Sequence, residues 1–507
     1  MKKSPLSVAV TGIVLLGLGA VLTFMASRKY TEQRVVASSG SCRLNTTILE
    51  LAGLPENSQN GSVVLLHGLT ANKVIMMYLA RAFADEGLRV YLPDSPGHGQ
   101  TAGPFTTAQA EECSASFVRG LLARGMIVPE RTILAGHSMG AAIALRTASK
   151  IHVAGVIAIS PAPMVVAHGL SPEVLLYRDP PPVPVDSLIL AGQFEPEGLR
   201  ANAADYALTS TDGTSQFMLV PWNSHVSVLF SPVVARMVQA WAAKVLHLPA
   251  PNQPLPFRGN LLGGLLGLLG ILVLAGPFLQ ETVGEKPLVE SAPATKLTAV
   301  RSVAEFAVVA FAVVLLLRYW MPLRSLHVFE GDYLASFFLI TGLILLGLHA
   351  GVARRTFRPA PKLWLAAAFG AFVLHLLITG WLQLTIAGAW MTAERWTRFP
   401  VFFLAALLFT YALEIGLGPV VTGSGRQRYV LRLALVVVAW IALAVGVLAL
   451  HSAEILLVLL APYFALFFVM CGLGAQLVRK QSGSAMAAAL FSAILLAGFC
   501  LVIFPVS

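Results

Sequence analysis

The amino-acid sequence predicts two structural classes in one chain: a mostly parallel α/β sheet covered by helices on both faces, followed by an all-α bundle of transmembrane helices. Between residues 42 and 248, short β-branched runs alternate with helical patterns, which is typical of parallel sheets. Beyond residue 261, successive apolar stretches are long enough to cross a bilayer. The 507 residues are 56% hydrophobic and only 12% charged, against about 25% charged in soluble proteins. This composition excludes a disordered chain and argues against a purely soluble globular protein.

The net charge is basic, but its distribution matters more than its size. The formal net charge is +10 and the isoelectric point about 9.6, values that would suggest nucleic-acid binding in a soluble protein. Residues 28–256, however, hold 16 Lys and Arg against 16 Asp and Glu, whereas residues 257–507 hold 17 against 9. Because the excess belongs to the most hydrophobic part of the chain, we expect no nucleic-acid partner.

The first predicted domain is an N-terminal transmembrane anchor, residues 1–27. Lys2 and Lys3 precede an apolar run from Leu6 to Ala26, about the 20 residues that span a bilayer. The apolar core of a cleaved signal peptide is shorter, about 7–15 residues, and no clean cleavage site precedes Arg28. We therefore expect an uncleaved signal anchor with a cytoplasmic N-terminus, and signal cleavage is the alternative.

The second predicted domain, residues 28–256, carries the α/β pattern. The predicted strands are Thr47–Leu51, Val63–Leu66, Val90–Leu92, Thr132–Leu134, Gly155–Ile159, Leu188–Leu190 and Phe217–Val220. The predicted helices are Lys73–Glu86, Thr107–Arg124, Ala141–Lys150 and Pro232–Leu246.

The third predicted domain, residues 257–507, is a multi-pass membrane domain of about eight helices. By the length criterion, the spans are 260–279, 303–321, 333–351, 363–388, 399–418, 431–450, 455–477 and 485–505. Lys and Arg accumulate in cytoplasmic loops. With the N-terminus inside, those loops carry Lys286, Lys296, Arg301, Arg354, Arg355, Arg358, Lys362, Arg426, Arg428, Arg432, Arg479 and Lys480. The opposite loops carry only Arg324, Arg395 and Arg398, with Arg318 near a helix end. This asymmetry predicts that the second domain is extracytoplasmic.

The sharpest motif lies at residues 136–140, which read Gly-His-Ser-Met-Gly. A G-x-S-x-G pentapeptide alone is weak evidence, but this one follows an apolar strand and precedes a helix-forming run. Nucleophilic catalysis by serine uses that context, because a sharp strand-to-helix turn exposes the hydroxyl at a helix N-terminus. Ser138 is therefore the candidate nucleophile.

With this motif, residues 42–248 resemble the α/β-hydrolase superfamily, and closely resemble its esterase, lipase and lysophospholipase-like members. Residues 63–69, Val-Val-Leu-Leu-His-Gly-Leu, resemble the strand and His-Gly turn that shape the oxyanion hole. Residues 94–99, Asp-Ser-Pro-Gly-His-Gly, resemble the family's D-x-x-G-H-G loop. Residues 188–195 resemble the strand and G-x-x-D/E turn that present the acid of a catalytic triad.

The resemblance implies a triad in the chain order Ser138, Glu195 and His225. In it, His225 serves as the base and Glu195 orients the imidazole. Glu197 is a competing acid, and Asp186 and Asp212 are more remote ones. By the same resemblance, the oxyanion hole consists of the backbone N–H groups of Leu69 and Met139. No cofactor or metal is implied.

Two further features qualify this interpretation. The interval between the strands near residues 160 and 188 is short and proline-rich, so we expect no full helical cap over the site. Cys42 and Cys113 lie in the extracytoplasmic domain, where oxidising conditions permit a disulfide, although one sequence cannot show that they approach each other. Cys471 and Cys500 lie in apolar spans and are predicted to be small core residues.

The sequence thus predicts a membrane-anchored serine hydrolase that cleaves a carboxylic ester of a small molecule or lipid through an acyl-enzyme. The lipid bilayer is an expected partner. An acyltransferase with the same triad is one alternative. The other is a transporter-like protein with an accessory hydrolase domain, which predicts that His375 and Glu414 line a polar cavity within the spans. The ordinary interpretation of these two residues, and of His349, is structural.

Overall fold

The structure is a computed structural model that describes residues 5–53, 60–164, 175–184, 186–210, 213–284, 296–357, 359–416, 425–450 and 454–507. It divides into two compact units. The sheet unit comprises Gly17–Gly267, Gly380–Trp390 and Pro505–Ser507, and the helical unit comprises Met1–Leu16, Leu268–Thr379 and Met391–Phe504. The sheet unit thus contains two short segments that lie far along the chain from the sheet itself.

The sheet unit is built on one eight-stranded sheet in the order β1-β2-β4-β3-β5-β6-β7-β8. The strands are β1 Tyr30–Ser39, β2 Cys42–Leu51, β3 Gly61–Leu66, β4 Leu88–Pro93, β5 Thr132–His137, β6 Gly155–Ile159, β7 Ser187–Gly192 and β8 Gln216–Val220. β1 and β2 are antiparallel and β2 runs antiparallel to β4, whereas all pairs from β4 to β8 are parallel. The predicted mostly parallel sheet is confirmed.

Burial explains both the strands that the sequence predicts and the one that it does not. β3, β5, β6 and β7 are buried at every residue, and such strands are near-continuous apolar runs. β1 was not predicted, because it is a largely exposed edge strand with a polar sequence. It pairs with β2 through a turn at Gly40, where φ is +58°.

Helices cover both faces of the sheet. They are α2 Met77–Asp85, α3 Thr107–Ala123, α4 Met139–Ala148, α5 Glu197–Leu208 and α6 Pro232–Val245. Residues of α2 and α6 form one core with β3, β4 and β5. The helices α3 and α4 pack on each other. Helix α3 lies beside β1 and β2, and α4 lies beside β5 and β6. The predicted helix at Lys73 begins with a 3-10 turn, Lys73–Met76, before α2. α5 was not predicted, since its sequence lacks a clear apolar face.

Nine helices of the described residues are long and apolar enough to cross a membrane. The corresponding elements are α1 Pro5–Ser27, α7 Gly259–Val283, α8 Lys296–Leu317, α9 Gly331–Leu348, α11 Pro361–Thr385, α12 Ala393–Gly416, α13 Gly425–Leu448, α15 Ala461–Ser482 and α16 Ala485–Ile503, and two short helices are α10 Ala350–Thr356 and α14 Ile455–Leu459. The predicted span 455–477 was placed wrongly, because the helix is interrupted at Leu460, between α14 and α15. A proline, Pro462, stands at the start of α15, where its missing N–H is tolerated.

The ionisable residues of the helical unit have different surroundings. Glu414 of α12 forms an ion pair with Arg432 of α13, and the pair lines a cavity of about 90 Å³. His375 does not line that cavity. Its buried ring packs against Gly498 of α16. His349 pairs with Glu305 at 2.7 Å.

Candidate active site

Six loops at one edge of the sheet supply the candidate site. Parallel strands end at a common carboxyl edge, where ligands bind in open α/β sheets. The loops that follow β3, β4, β5, β6, β7 and β8 carry Leu69, Asp94, Ser138, Ser160, Glu195 and His225, in that order. The topology therefore brings together residues that are far apart in the sequence.

Ser138 lies at the sharp turn between β5 and α4. Its φ of 53° and ψ of −117° are unfavourable for a residue with a Cβ atom. A Cβ atom on Gly136 would lie 2.3 Å from the Gly140 carbonyl oxygen, and one on Gly140 would lie 2.4 Å from the Leu66 carbonyl oxygen. The two glycines of the motif thus let the strand, the turn and β3 approach closely enough to hold Ser138 in this conformation.

His225 bridges the other two members of the predicted triad. Its Nε2 lies 3.1 Å from Ser138 Oγ, and its Nδ1 lies 3.0 Å from Glu195 Oε2. A carboxylate accepts but does not donate, so the Nδ1–H donates to Glu195. Nε2 is then the free acceptor for the proton of the Ser138 hydroxyl.

Glu195 is buried, and three groups donate to it. Besides His225, the Ser160 hydroxyl donates to Oε1 at 2.5 Å and the Gly192 N–H at 2.6 Å. Burial by itself would raise the pKa of Glu195. The opposing effects are larger. His225 lowers the pKa of Glu195 through its hydrogen bond and its charge, and the hydrogen bonds from Ser160 and Gly192 lower it further, so the pKa lies below its usual range. The carboxylate is therefore kept ionised opposite His225.

The competing acids occupy other places. Glu197 is the first residue of α5 and is exposed. The Asp186 backbone N–H donates to Thr214 Oγ1 at 2.9 Å. Asp186 precedes β7 and so lies at the opposite edge of the sheet from Ser138. Asp212 lies outside the described residues. Of the three candidates that the structure describes, Glu195 is the one whose carboxylate contacts His225.

The predicted oxyanion donors lie on both sides of Ser138. Met139 is the first residue of α4, and Leu69 follows the His67-Gly68 turn after β3. A Cβ atom on Gly68 would lie 3.1 Å from Ser138 Cβ, so this turn packs directly against Ser138. The Leu69 and Met139 N–H groups have no hydrogen-bond acceptor among the described residues, which leaves both available to an oxyanion.

Histidines around the site support its loops. His67 Nε2 accepts from the Ser95 N–H at 2.9 Å, and its Nδ1 contacts the Gly68 carbonyl oxygen at 2.8 Å. His137 Nε2 lies 2.7 Å from the His225 carbonyl oxygen, and burial lowers the pKa of His137 to about 3. A neutral His137 donates to that carbonyl and so fixes the backbone of His225.

A buried ion pair joins the loops that follow β3 and β4, beside the oxyanion turn, residues 67–72, which carries the predicted donor Leu69. Lys73 Nζ lies 2.8 Å from Asp94 Oδ2, and Asp94 also accepts from the Lys73 and Gln100 N–H groups. Sequence reasoning did not identify Lys73, Ser160 or Asn72 as site residues. For Ser160, the signal was its place at the end of β6, which brings it to the carboxyl edge.

The structure also describes the two cysteines of the predicted extracytoplasmic domain and part of the interval between β6 and β7. Cys42 and Cys113 form a disulfide with a Cα–Cα distance of 5.4 Å. Residues 165–174 and 185, part of the interval predicted to lack a cap, lie outside the described residues. In the described part of the chain, no group of three or more His, Cys, Asp and Glu side chains could hold a metal ion.

Comparison with known proteins agrees with this topology. Residues 63–258 match a family described as the alpha/beta hydrolase family, whereas no curated protein matches the chain. Similar solved structures include a thermophilic esterase from Thermogutta terrifontis, with 18% identity, a TM-score of 0.32, and coverage of 42% of this chain and 99% of that chain. Another is a serine hydrolase without a lid from Xanthomonas campestris, with 18% identity, a TM-score of 0.34, and coverage of 45% and 97%.

Proposed function

We propose that the α/β-hydrolase domain of this chain, residues 28–256, is a membrane-anchored serine hydrolase that cleaves a carboxylic ester through an acyl-enzyme. One observation carries the proposal: His225 is within hydrogen-bond distance of both Ser138 Oγ and Glu195 Oε2. This is the arrangement that activates a serine hydroxyl.

The residues act in two half-reactions. His225 Nε2 takes the proton of Ser138 as Oγ attacks the ester carbonyl carbon, and the carbonyl oxygen becomes an oxyanion held by the Leu69 and Met139 N–H groups. When the tetrahedral intermediate collapses, the bond to the alcohol breaks and His225 returns the proton to the leaving alcohol. Water then repeats the sequence on the acyl-enzyme and releases the acid. Glu195 stabilises the imidazolium in both half-reactions.

An active-site fluorophosphonate tests this proposal on the purified protein in detergent. We expect labelling of the native protein and loss of labelling in Ser138→Ala. Ser149→Ala, at the far end of α4, is the matched control and should be labelled like the native protein. Equal labelling of the native protein and Ser138→Ala, or labelling of neither, would contradict the proposal. Analysis of the products in the presence of added alcohol or amine separates hydrolysis from acyl transfer by the same triad.

We further propose that the ester is amphiphilic and is presented at a membrane surface. Two segments that directly follow apolar helices of membrane-spanning length reach the carboxyl edge. Gly388, beyond the end of α11, contacts Asn72 after β3, and Val506, beyond α16, contacts Gly97 after β4. The catalytic edge of the sheet would therefore lie at the level of the bilayer surface.

An exposed aromatic pair supports the same substrate class. Phe194 and Trp222 precede Glu195 and His225 on their loops, and their ring centroids lie 5.8 Å apart. Phe194 is 58% and Trp222 80% exposed, although each ring is large and apolar. Tryptophan is enriched at membrane interfaces, so this pair would contact lipid beside the catalytic residues.

The interfacial role predicts a selective loss of activity. We expect Trp222→Ser to lower the turnover of an ester embedded in vesicles about tenfold relative to that of a short soluble ester, since burying such a side chain is worth about 1.5–3 kcal/mol. Val128→Ser is the control, because Val128 is 50% exposed but precedes β5 at the opposite edge. Equal ratios for Trp222→Ser and the native protein would exclude lipid contact by this residue.

The proposed location is extracytoplasmic, with a cytoplasmic N-terminus. The asymmetry of Lys and Arg between loops supports it, although two of those residues, Lys286 and Arg358, lie outside the described part of the chain. The Cys42–Cys113 disulfide supports it independently, because such bonds persist in oxidising compartments.

A second candidate function concerns the helical unit. A transporter for a polar solute should have a polar cavity lined by His375 and Glu414, but His375 lies elsewhere and the cavity beside Glu414 is lined mainly by Phe, Leu, Val and Trp side chains. The Glu414–Arg432 pair at an apolar cavity instead favours binding of an amphiphile.

Crosslinking of a photoreactive fatty acid tests this candidate. We expect Ala439→Phe, which would fill the cavity, to abolish the crosslinking. Ile441→Phe, on the exposed side of α13, is the control and should leave it unchanged. Crosslinking unaffected by Ala439→Phe would exclude this candidate.

A further inference from the structure

The oxyanion turn is held by a segment from outside the sheet, Gly380–Trp390. This segment consists of the end of α11 and the loop that follows it. Asn72 Nδ2 donates to the Gly388 carbonyl oxygen at 2.7 Å, and the Gly388 N–H donates to Asn72 Oδ1 at 3.0 Å. The side-chain amide of Asn72 therefore pairs with both backbone groups of one residue that lies 316 positions further along the chain. Asn72 is buried, so water does not readily replace these bonds.

Gly388 is specifically fitted to this contact. A Cβ atom at this position would lie 1.7 Å from Asn72 Nδ2 and 2.2 Å from its Cγ. Any other residue at position 388 would have to push the Asn72 amide away. By contrast, a Cβ atom on Gly380, in the same segment, would meet nothing within 4 Å.

The same asparagine closes the turn that carries the Leu69 N–H. Asn72 Oδ1 also accepts from the Val74 N–H at 3.0 Å, which caps the 3-10 turn before α2. At the other end of the turn, the Ala71 N–H donates to the Gly68 carbonyl oxygen at 3.2 Å. Between these bonds, Thr70 has a φ of +60°, a strained value that persists only where neighbouring contacts enforce it.

We infer that Asn72 is a positioning residue, through which the segment Gly380–Trp390 fixes the Leu69 N–H in the oxyanion hole. The inference rests on the proposed function and adds a control of its rate: ester cleavage at Ser138 depends on a loop far outside the matched hydrolase sequence. Asn72 does not touch the reacting atoms in this scheme. It acts by holding the turn, and the donor it positions is a backbone group of another residue.

The key variant separates the bridge from the local cap. Asn72→Ser keeps a side-chain oxygen that can cap the Val74 N–H, since serine is a good N-cap, but it is too short to pair with Gly388. Gly388→Ala breaks the bridge from the other side and leaves Asn72 intact. Gly380→Ala is the matched control for a glycine-to-alanine change in the same segment.

The measurements compare turnover with binding of a trifluoromethyl ketone by the full-length protein in detergent. Ser138 Oγ adds to the ketone carbon, His225 takes the serine proton, and the ketone oxygen becomes an oxyanion in the same hole. Because removal of a donor costs about 10²- to 10³-fold, we expect its displacement to lower kcat about tenfold or more. The affinity for the ketone should fall in parallel, KM should stay close to its native value, and both variants should remain folded at the temperature of the assay.

Both bridge variants should show this pattern, and the double variant should be no worse than either single variant, because each removes the same interaction. Gly380→Ala should resemble the native protein. The inference is overturned if kcat of Asn72→Ser and Gly388→Ala stays within twofold of native, if kcat falls without a loss of ketone affinity, or if the losses add. Ser138→Ala distinguishes this failure from that of the proposed function, since turnover by Ser138→Ala within tenfold of the native value would refute the serine mechanism itself.

Discussion

The two sides of the candidate active site differ in how they are held. The oxyanion side, formed by the loops after β3 and β4, is buried and tied to Gly388 and Val506. The acid-base side, formed by the loops after β7 and β8, ends in the exposed pair Phe194 and Trp222. In the proposed function, one side fixes hydrogen-bond donors and the other receives the substrate.

The acid-base side should show the largest effect of a single substitution. Glu195→Gln preserves shape but removes the negative charge opposite His225 and favours the wrong imidazole tautomer. By analogy with the loss of a triad acid, we expect kcat to fall about 10⁴-fold, with little change in KM. Glu197→Gln is the control, and an equal loss in both variants would contradict the assignment of Glu195. Steady-state kinetics on a soluble ester provide the measurement.

Ser160→Ala should have a smaller effect on the same side. A hydrogen bond to a charged group is worth about 1.5–3 kcal/mol, so we expect kcat to fall about tenfold or more. The ionised form of Glu195 stabilises the fold above its ordinary pKa of 4.5, and this contribution is lost as the pH falls through the lowered folded-state pKa. Loss of the Ser160 donor should bring the folded-state pKa of Glu195 closer to its ordinary value, so the acid-induced decrease in melting temperature should be smaller than in the native protein. Identical melting profiles for Ser160→Ala and the native protein would argue against this role.

The oxyanion side can be loosened at its second contact. The Val506 carbonyl oxygen accepts from the Phe105 N–H at 2.6 Å, and its N–H donates to the Gly97 carbonyl oxygen at 3.2 Å. A chain truncated after Phe504 lacks both bonds, whereas one truncated after Val506 retains them. We expect the shorter chain to lose about fivefold in kcat, the equivalent of one hydrogen bond of about 1 kcal/mol, and the longer one to match the native protein. Equal kcat values for the two truncated chains would show that this contact does not affect the site.

The Cys42–Cys113 disulfide should affect stability more than activity. It links the start of β2 to α3 on the side of the sheet that carries the oxyanion loops, and it closes a loop with a sequence separation of 71. Loss of such a bond costs about 2–5 kcal/mol, so Cys42→Ser with Cys113→Ser should lower the melting temperature by about 5 °C or more. Turnover below the melting transition should change less than twofold. An unchanged melting temperature would contradict the predicted contribution.

Sequence reasoning succeeded where structure is set locally. The turn at Ser138 follows from glycines two residues away between a strand and a helix, and the apolar spans follow from length. The resemblance favoured Glu195 as the acid, but it left Glu197 as a competitor, because the choice depends on the position of His225 across the sheet edge. The pairing of Asn72 with Gly388 was beyond prediction, since nothing near either residue specifies a partner 316 positions away.

The acyl-enzyme itself can be detected by mass spectrometry of the peptide that contains Ser138, after an acidic quench during turnover of an ester. The serine mechanism predicts a mass increase equal to the acyl group on Ser138, formed and lost at rates that account for kcat. Ester turnover with an unmodified Ser138, or with the acyl group on another residue, would contradict it.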